Sequence, residues 1–297
     1  MHVCKAGDDQ VLRALAYFVL YSSINYYLHS STQSAFKVLR FYNYETFRYL
    51  AKKSSMKKAI VYSLCGLFCV ALASAQEKTT IEPSGHIITK EVSVKPFDAI
   101  RAAGLYELIL SQGNTESVKI EADDNVQNMF TVRNEGSTLV IDMPELKNKN
   151  VNFNHKNEHQ SLKWKVYVSC KNLKNLDVAV IGNVRSETAI KSSAFEINSK
   201  NVGNIDLKLT ADKLTIDNKG VGKITLNGSA TNAVINNAGV GELEGEGLVV
   251  QTMNIDNSGV GKANVNVQKD LIIKQSFLGK VTNRGNATKH EMEGVEM

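Results

Sequence analysis

The chain has 297 residues and a formal net charge of +5, a length that accommodates one large domain or two ordinary ones. The charge is uneven, because residues 1–75 contain nine Lys and Arg but only three Asp and Glu, which leaves 26 basic and 27 acidic residues in 76–297. The larger part is nearly neutral and lacks the basic footprint of a protein that binds nucleic acid. We therefore expect no nucleic-acid partner.

Residues 1–55 have a different composition from the rest of the chain. Eight of the ten tyrosines lie before position 63. The simplest interpretation is an upstream extension that is not part of the fold, with translation beginning at Met56. The alternative is an aromatic-rich helix at 11–28 that lies on a membrane surface, with 59–72 as a signal anchor. In either case this segment carries no information about the fold of the remainder.

Residues 56–75 have the pattern of a secretory signal peptide. The segment begins Met-Lys-Lys, continues with an apolar run at 59–72 and ends in Ala73-Ser74-Ala75, which is an A-x-A cleavage site. The apolar run is too short to cross a membrane comfortably. The pattern predicts an exported protein in the periplasm, on the outer-membrane surface or outside the cell, with no membrane span left after cleavage.

The residues after the cleavage site alternate between apolar and polar types. This alternation predicts half-buried strands at 118–122 and 138–143. We expect a linker or cap at 76–91, a single domain at 92–285 and a C-terminal tail at 286–297.

A polar insertion rich in Asn and Lys is predicted at 145–161. His155, Glu158 and His159 in this segment match H-x-x-E-H, an inverted zinc-protease motif. That chemistry requires both histidines on one face of a helix and a third ligand elsewhere. The segment has no helical periodicity, so we expect a solvated loop and no metal site.

Trp164 and Cys170 lie at the next predicted strand. Trp164 is the only tryptophan, and its default role is that of a buried strand aromatic. Cys170 is the only cysteine after the signal peptide, which excludes a disulfide. No base lies near it in sequence, so a small core residue is expected rather than a nucleophile. No catalytic residue and no cofactor is predicted.

The most informative segment, 195–282, contains a repeat. Its glycine bends end at Gly203, Gly222, Gly241, Gly261 and Gly279, steps of 19, 19, 20 and 18 residues. Ile181-Gly182 extends the series backward. A fixed period with strand-type alternation predicts an all-β fold, namely a single-stranded parallel β-helix (β-solenoid) with about 19–20 residues per coil.

Stacking the repeats turns sequence positions into spatial columns. We expect a first inward aliphatic column of Ile197, Ile216, Ile235, Ile255 and Ile273. We expect a second inward aliphatic column of Val202, Val221, Val240, Val260 and Leu278. Between them a polar column should hydrogen-bond along the stack: Ser199, Asn218, Asn237, Asn257 and Gln275. The alternative use of this column is calcium binding, but the nine-residue calcium repeat is absent.

Several charged residues lie near the bends, where a carbohydrate-active enzyme could carry its catalytic carboxylates. Lys223, Glu242 and Lys262 alternate in sign and should form exposed pairs that set register. Glu244 and Glu246 should project with Glu242 from one strand. The expected column neighbours of Glu244 are Thr225 and Asn264, and those of Glu246 are Asn227 and Asn266. A carbohydrate-active enzyme requires two carboxylates at a defined separation, which this pattern does not provide.

The opening Val94-Lys95-Pro96-Phe97-Asp98-Ala99-Ile100 followed by Gly104, the segment 117–125 and the recurring Gly-Val-Gly bends resemble the auto-transporter adhesin head (GIN domain) family of Bacteroides-like bacteria. The resemblance covers residues 92–283. It implies a right-handed parallel β-helix with an adhesive role, and it supplies no catalytic residues.

Two functional hypotheses follow for this non-enzymatic exported protein. The first is an adhesin-like binding module of the cell envelope that presents a strand face to a glycan or protein. The second is a structural spacer that acts by self-association as a homo-oligomer. A binder should display a contiguous aromatic or single-sign patch, whereas a spacer should be uniformly polar. The sequence leans toward a uniformly polar face. A carbohydrate-active enzyme on the same scaffold is the third and least supported alternative.

Overall fold

The computed structural model describes residues 79–148, 151–153, 163–276 and 278–291. The predicted upstream extension, the signal peptide and the H-x-x-E-H motif lie outside the described residues. In chain order the elements are β1 (Thr79–Ile81), β2 (Ile87–Val92), β3 (Ala99–Gly104), β4 (Glu107–Gln112), β5 (Ser117–Asp123), a 3₁₀ turn (Gln127–Met129), β6 (Thr131–Glu135), β7 (Thr138–Asp142), α1 (Pro144–Asn148), β8 (Val151–Phe153), β9 (Lys165–Cys170), β10 (Asn175–Val180), β11 (Val184–Ser186), β12 (Ile190–Ser199), β13 (Ile205–Asn218), β14 (Ile224–Asn237), β15 (Leu243–Asn257), β16 (Gly261–Gln275), β17 (Gly279–Asn283) and β18 (Thr288–Glu291).

The strands β12 to β16 form a parallel stack in which each strand pairs with the same part of the next coil. Ile205 pairs with Ile224, which pairs with Leu243, which pairs with Ala263. Each strand alternates buried and exposed side chains, because a pleated strand directs successive residues to opposite faces. The prediction of an all-β parallel solenoid is confirmed.

Each central coil is one long strand rather than two strands joined by a polar turn. β13 and β14 each contain 14 residues. In β13 Asp212 and Lys213 are both exposed, so the inward and outward positions exchange once between Ala211 and Leu214. The chain therefore turns a corner of the coil without ending its backbone pairing to the neighbouring coils.

The isoleucine column is inward, as predicted, and so are the first four residues of the polar column, Ser199, Asn218, Asn237 and Asn257. The prediction is wrong for Gln275, which is exposed, because its Oε1 accepts a hydrogen bond from the backbone N–H of Val281 at 2.8 Å instead of extending the buried column. All five isoleucines are at most 3% exposed. Asn218 donates from Nδ2 to Oδ1 of Asn237 at 2.7 Å, and Asn237 donates in the same way to Asn257 at 2.7 Å. The backbone N–H of Gly220 donates to Oδ1 of Asn218 at 3.0 Å. These buried amides therefore bond both to each other and to the bends.

The second aliphatic column is exposed, so the prediction that it points inward is wrong. Val202, Val221, Val240 and Val260 are 48–51% exposed, and Leu278 is 61% exposed. The physical reason is strand parity. Val221 follows the inward Ile216 by five positions, an odd number, and successive residues of an extended chain alternate between faces. The inward position next to it is filled by Gly220.

The first coils are not stacked in chain order. β3 lies between β7 and β10, and β4 lies between β9 and β11, with all four pairs parallel. The coil made of β7 and β9 therefore lies outside the coil made of β3 and β4, although it follows that coil in sequence. A repeat identifies coils without specifying which edge each one occupies, so the sequence pattern does not predict this order.

Antiparallel strands cover the outer edges at the N-terminal end. β5 pairs antiparallel with β9, and β2 pairs antiparallel with β5. β6 pairs antiparallel with β7 through the hairpin at Gly136. Within the predicted polar insertion, β8 pairs in parallel with β1 to form a separate two-stranded sheet. The end of the solenoid is thus closed by strands of opposite direction.

The C-terminal end also differs from a free tail. β18 lies within the predicted tail and pairs in parallel with Asp270–Ile273 of β16, beside β17 on the same strand. All four of its side chains are exposed, so no apolar alternation marks the strand in the sequence. Its position is held by backbone pairing.

Candidate binding surface

One stripe of exposed aliphatic side chains follows the axis of the solenoid. We call it the valine ladder, and it consists of Ile181, Val202, Val221, Val240, Val260 and Leu278. Parallel bridges join the first five residues in order. The carbonyl of Leu278 accepts a hydrogen bond from Gly261 at 3.1 Å, which places Leu278 on the next rung. At about 4.8 Å per coil, six rungs span about 24 Å.

Close packing of the backbone explains why these side chains point outward. Val221 lies between Gly220, which is buried, and Gly222, which has a φ of +136°. A Cβ on Gly222 would overlap the carbonyl oxygen of Gly203 in the preceding coil, and a Cβ on Gly220 would meet the carbonyl of Asn201 at 2.5 Å. The corner has no room for an inward side chain, so the valine projects into solvent.

Two columns that contain most of the nearby lysines flank the ladder. The leading flank, two residues before each rung, is Ala179, Lys200, Lys219, Ala238, Ser258 and Ser276. The trailing flank, two residues after each rung, is Asn183, Asn204, Lys223, Glu242, Lys262 and Lys280. Together they contain five lysines and one glutamate. Lys223 and Glu242 form an ion pair of 3.5 Å, as the alternating column predicted.

The ladder differs from the other exposed aliphatic residues of the described chain. Val234 and Ile272 are each 37% exposed, but a polar residue, Asn254, separates them in the same column. Single exposed aliphatic side chains are normal on protein surfaces, whereas contiguous apolar patches mark interaction sites. By that criterion the valine ladder is the candidate binding surface.

A groove of about 420 Å³ lies beside the start of β3, where its lining includes Phe97, Asp98 and Lys174. Phe97 and Leu173 form its buried floor, and Asp98 and Lys174 form an ion pair of 3.0 Å at its side. The hydrogen bond from Lys174 holds the pKa of Asp98 below its usual value. The groove has no exposed aromatic ring among its lining residues, so it lacks a platform for a sugar.

Cys170 is a core residue. Its side chain is fully buried, and its Sγ donates to the carbonyl of Ser111 at 3.6 Å. Burial raises the pKa of the thiol to about 11. Since a thiolate is the reactive form, this group is inert at neutral pH.

Trp164 is buried, and its indole N–H donates to Oδ2 of Asp123 at 2.7 Å. The other carboxylate oxygen of Asp123 accepts a hydrogen bond from the backbone of Gly85 at 2.6 Å. The ring also meets Phe130 edge to face, with centroids 6.5 Å apart. This buried Trp–Asp contact ties the N-terminal loop to the core. Sequence reasoning missed it, because 41 residues separate the partners.

The three glutamates near the bend do not form a catalytic pair. Glu244 accepts from Asn264 at 2.7 Å and lies between Thr225 and Asn264, as predicted. The predicted pairing of Glu246 with Asn227 is wrong, because a register shift pairs Asn227 with Gly247. Asn266 pairs in register with Val249, although its side chain donates to the backbone carbonyl of Glu246 at 2.9 Å. Glu246 instead forms an ion pair of 3.2 Å with Arg284. With Glu242 bound to Lys223, each carboxylate has a different partner.

Within the parts of the chain that the structure describes, no group of three or more His, Cys, Asp or Glu side chains could hold a metal ion. No helix among those same residues is long and apolar enough to cross a membrane.

The sequence and the fold were compared with known protein families and solved structures, and both comparisons found similar proteins. A family model described as "Putative auto-transporter adhesin, head GIN domain" matches residues 96–287. The chain is similar to the crystal structure of a putative adhesin from Bacteroides fragilis, with 26% identity, a TM-score of 0.59 and coverage of 71% of this chain and 100% of that chain. The crystal structure of a putative lipid binding protein from Parabacteroides distasonis shares the fold, with 19% identity, a TM-score of 0.50 and coverage of 72% and 100%. No curated protein matches the chain.

Proposed function

Because the chain belongs to the family of the auto-transporter adhesin head GIN domain, we propose that it is a non-enzymatic, exported cell-envelope protein that binds a macromolecular partner along the valine ladder. Export through the signal peptide at 56–75 is part of this proposal. The partner is a protein or glycan surface rather than a small molecule, since the ladder is an open stripe and not a cavity.

The observation that carries the proposal is the exposure of six stacked aliphatic side chains. Burying apolar surface is favourable by about 25 cal/mol per Å², so a stripe of half-exposed valines gains free energy when a partner covers it. The flanking lysines remain in solvent around it, as polar residues do at the rim of an interface.

The test is a binding array of glycans and extracellular-matrix proteins probed with the purified chain. We expect reproducible binding that is lost in the double variant Val221→Asn/Val240→Asn, because two central rungs become polar. The matched control is Val234→Asn/Ile272→Asn, which makes the same chemical change at exposed positions outside the ladder. Equal binding by both double variants would contradict a role for the ladder.

A carbohydrate-active enzyme is a weaker reading of the same scaffold. The carboxylates that the sequence brings closest, on Glu242, Glu244 and Glu246, bind Lys223, Asn264 and Arg284 respectively. Glycoside hydrolysis needs one protonated and one ionised carboxyl group facing a shared cleft. The arrangement therefore favours binding over catalysis.

A further inference from the structure

We propose that the partner of the valine ladder is the valine ladder of a second copy of this chain, with the two ladders antiparallel about a twofold axis between Val221 and Val240. This inference rests on the proposed function, because it names the partner of the same surface. It makes the protein a self-recognising adhesin, in which two molecules meet through identical stripes.

The ladder is self-complementary in shape along its length. An axis perpendicular to the ladder, between its third and fourth rungs, places Val221 opposite Val240 of the second copy. The same operation places Val202 opposite Val260, and Ile181 opposite Leu278. Every exposed aliphatic rung therefore meets another, as the isologous interface of a twofold dimer requires.

The flanking charges fit this register. In the trailing flank, Lys223 lies opposite Glu242 of the second copy, and the symmetry repeats the pair. Lys262 and Lys280 lie opposite Asn204 and Asn183. In the leading flank, Lys200 and Lys219 lie opposite Ser258 and Ala238, which are neutral. No two like charges lie directly opposite each other.

Other twofold arrangements bring lysines together. If the axis passes through Val221, Lys223 of one molecule lies opposite Lys223 of the second copy. If it passes through Val240, Lys223 lies opposite Lys262 of the second copy. An axis parallel to the ladder lays the leading flank over the trailing flank and places Lys219 opposite Lys223. Like charges directly opposite each other are destabilising and suppress wrong registers. The charge pattern thus specifies one antiparallel register.

The size of the surface predicts a weak and reversible dimer. Six rungs and two flanks of six residues give eighteen residues on each copy, below the roughly 20–30 residues per side of a standard stable interface. Burial of apolar surface drives the association, whereas the exposed Lys223–Glu242 pairs add little free energy and mainly determine the register of the two ladders. A weak pairing of this kind gives strong attachment when many copies on two facing surfaces pair at the same time.

Sedimentation of the full-length chain over a range of concentrations measures the association. We expect a monomer–dimer equilibrium whose dissociation constant rises at least about tenfold in Val221→Asn/Val240→Asn. Val234→Asn/Ile272→Asn should match the unmodified chain. Lys223→Glu places two acids opposite each other and should weaken the dimer, and adding Glu242→Lys should restore it. The charge variants keep the test valid if the asparagine variants fold poorly.

Disulfide trapping tests the register. The double variant Val202→Cys/Val260→Cys should form a cross-linked dimer in which peptides containing residues 202 and 260 are joined, as read by mass spectrometry. The two positions are three coils apart within one chain, about 14 Å, which is too far for an internal disulfide. Val202→Cys alone should give no link between position 202 of one copy and position 202 of the other, since these two positions lie about 14 Å apart in this register.

The two proposals fail in different ways. A chain that stays monomeric at all concentrations overturns self-pairing, and ladder-dependent binding on the array would then leave the proposed function standing with another partner. Ladder-dependent binding to anionic lipid vesicles by a monomer would overturn self-pairing and would also replace the proposed protein or glycan partner with a lipid surface. Cross-linking of Val202→Cys alone overturns the antiparallel register. Loss of both self-association and ladder-dependent array binding removes both proposals.

Discussion

At one corner of each coil, the backbone of a glycine lies against the backbone of the corresponding glycine one coil earlier. Gly203, Gly222, Gly241 and Gly261 have φ angles of +134° to +139°. A Cβ on any of them would overlap the carbonyl oxygen of the preceding corner glycine. Two separate demands, a positive φ and a lack of space, therefore fall on the same residues.

We predict that Gly222→Ala lowers the free energy of unfolding by more than the roughly 1–3 kcal/mol typical of strain alone. Denaturant unfolding measures the change. The control is Gly136→Ala, at a φ of +60° with no atom within 4 Å of the added Cβ, so that only conformational strain applies. Equal losses in the two variants would show that close contact between coils is not important.

The same corner shows where residue-level prediction from the sequence succeeded and failed. The sequence correctly predicts that Ile216 and Asn218 point inward together, because they are two positions apart on one strand. The apolar character of Val221 predicts an inward side chain, but its odd spacing from Ile216 puts it on the opposite face. This odd spacing of five residues can be counted in the sequence, so the outward direction of Val221 was predictable. The close approach of Gly222 to Gly203 depends on three-dimensional stacking.

Within the long strands, the buried asparagine ladder is the main polar feature. Asn237 accepts from Asn218 and donates to Asn257, both at 2.7 Å, and it is 5% exposed. The amides align only when neighbouring strands keep the same register. A shift of one residue would bring the exposed Asn236 column inward and bury no isoleucine, so the amides help to fix the pairing of β13, β14 and β15.

Asn237→Ala is expected to lower the free energy of unfolding by about 2–5 kcal/mol, because it leaves a donor on Asn218 and an acceptor on Asn257 buried without this partner. Asn236→Ala, a matched change at the exposed neighbouring position, should change the same quantity by less than about 0.5 kcal/mol. Thermal or denaturant unfolding of both variants makes the comparison. Similar values for the two would indicate that the ladder adds no stability.

The sequence predicted these strands more accurately than the turns between them. The repeat placed the isoleucine and asparagine columns in register, since stacking follows directly from a fixed period. It did not predict that Asp212 and Lys213 would continue a strand, because two adjacent polar residues are typical of a turn. Nor did it predict the register shift between Thr225 and Asn227 that moves Glu246 toward Arg284.

Over the whole molecule, the ends of the solenoid determine its solubility. A parallel stack has unpaired backbone groups at both ends, which pair readily with other chains unless they are covered. β5, β2 and β6 cover the first coils, and β17 and β18 cover β16. β18 has the exposed sequence Thr-Lys-His-Glu, whose charged residues make it a poor template for a further strand.

Removing residues 286–297 should therefore cause aggregation, because it uncovers the backbone of Asp270–Ile273 and leaves the exposed Ile272 at a free edge. Light scattering and size-exclusion chromatography measure the change. The control deletion of 292–297 retains β18 and should remain monodisperse apart from any ladder-mediated dimer. Equal solubility of the two truncated chains would argue against a protective role for β18.

The stacking order of the first coils also decides the direction in which the molecule assembles. The coil of β3 and β4 has two edges, and the strands that fill the outer edge, β7 and β9, precede β10 and β11 in the chain. A polypeptide made from its N-terminus thus completes and closes one side before the strands for the other side exist. The later coils can then add one after another to the remaining edge. Each addition closes a chain segment of only about 19 residues, which keeps its entropic cost low. The first two coils, formed by β3, β4, β7 and β9, therefore act as a template that determines the strand register of every later coil.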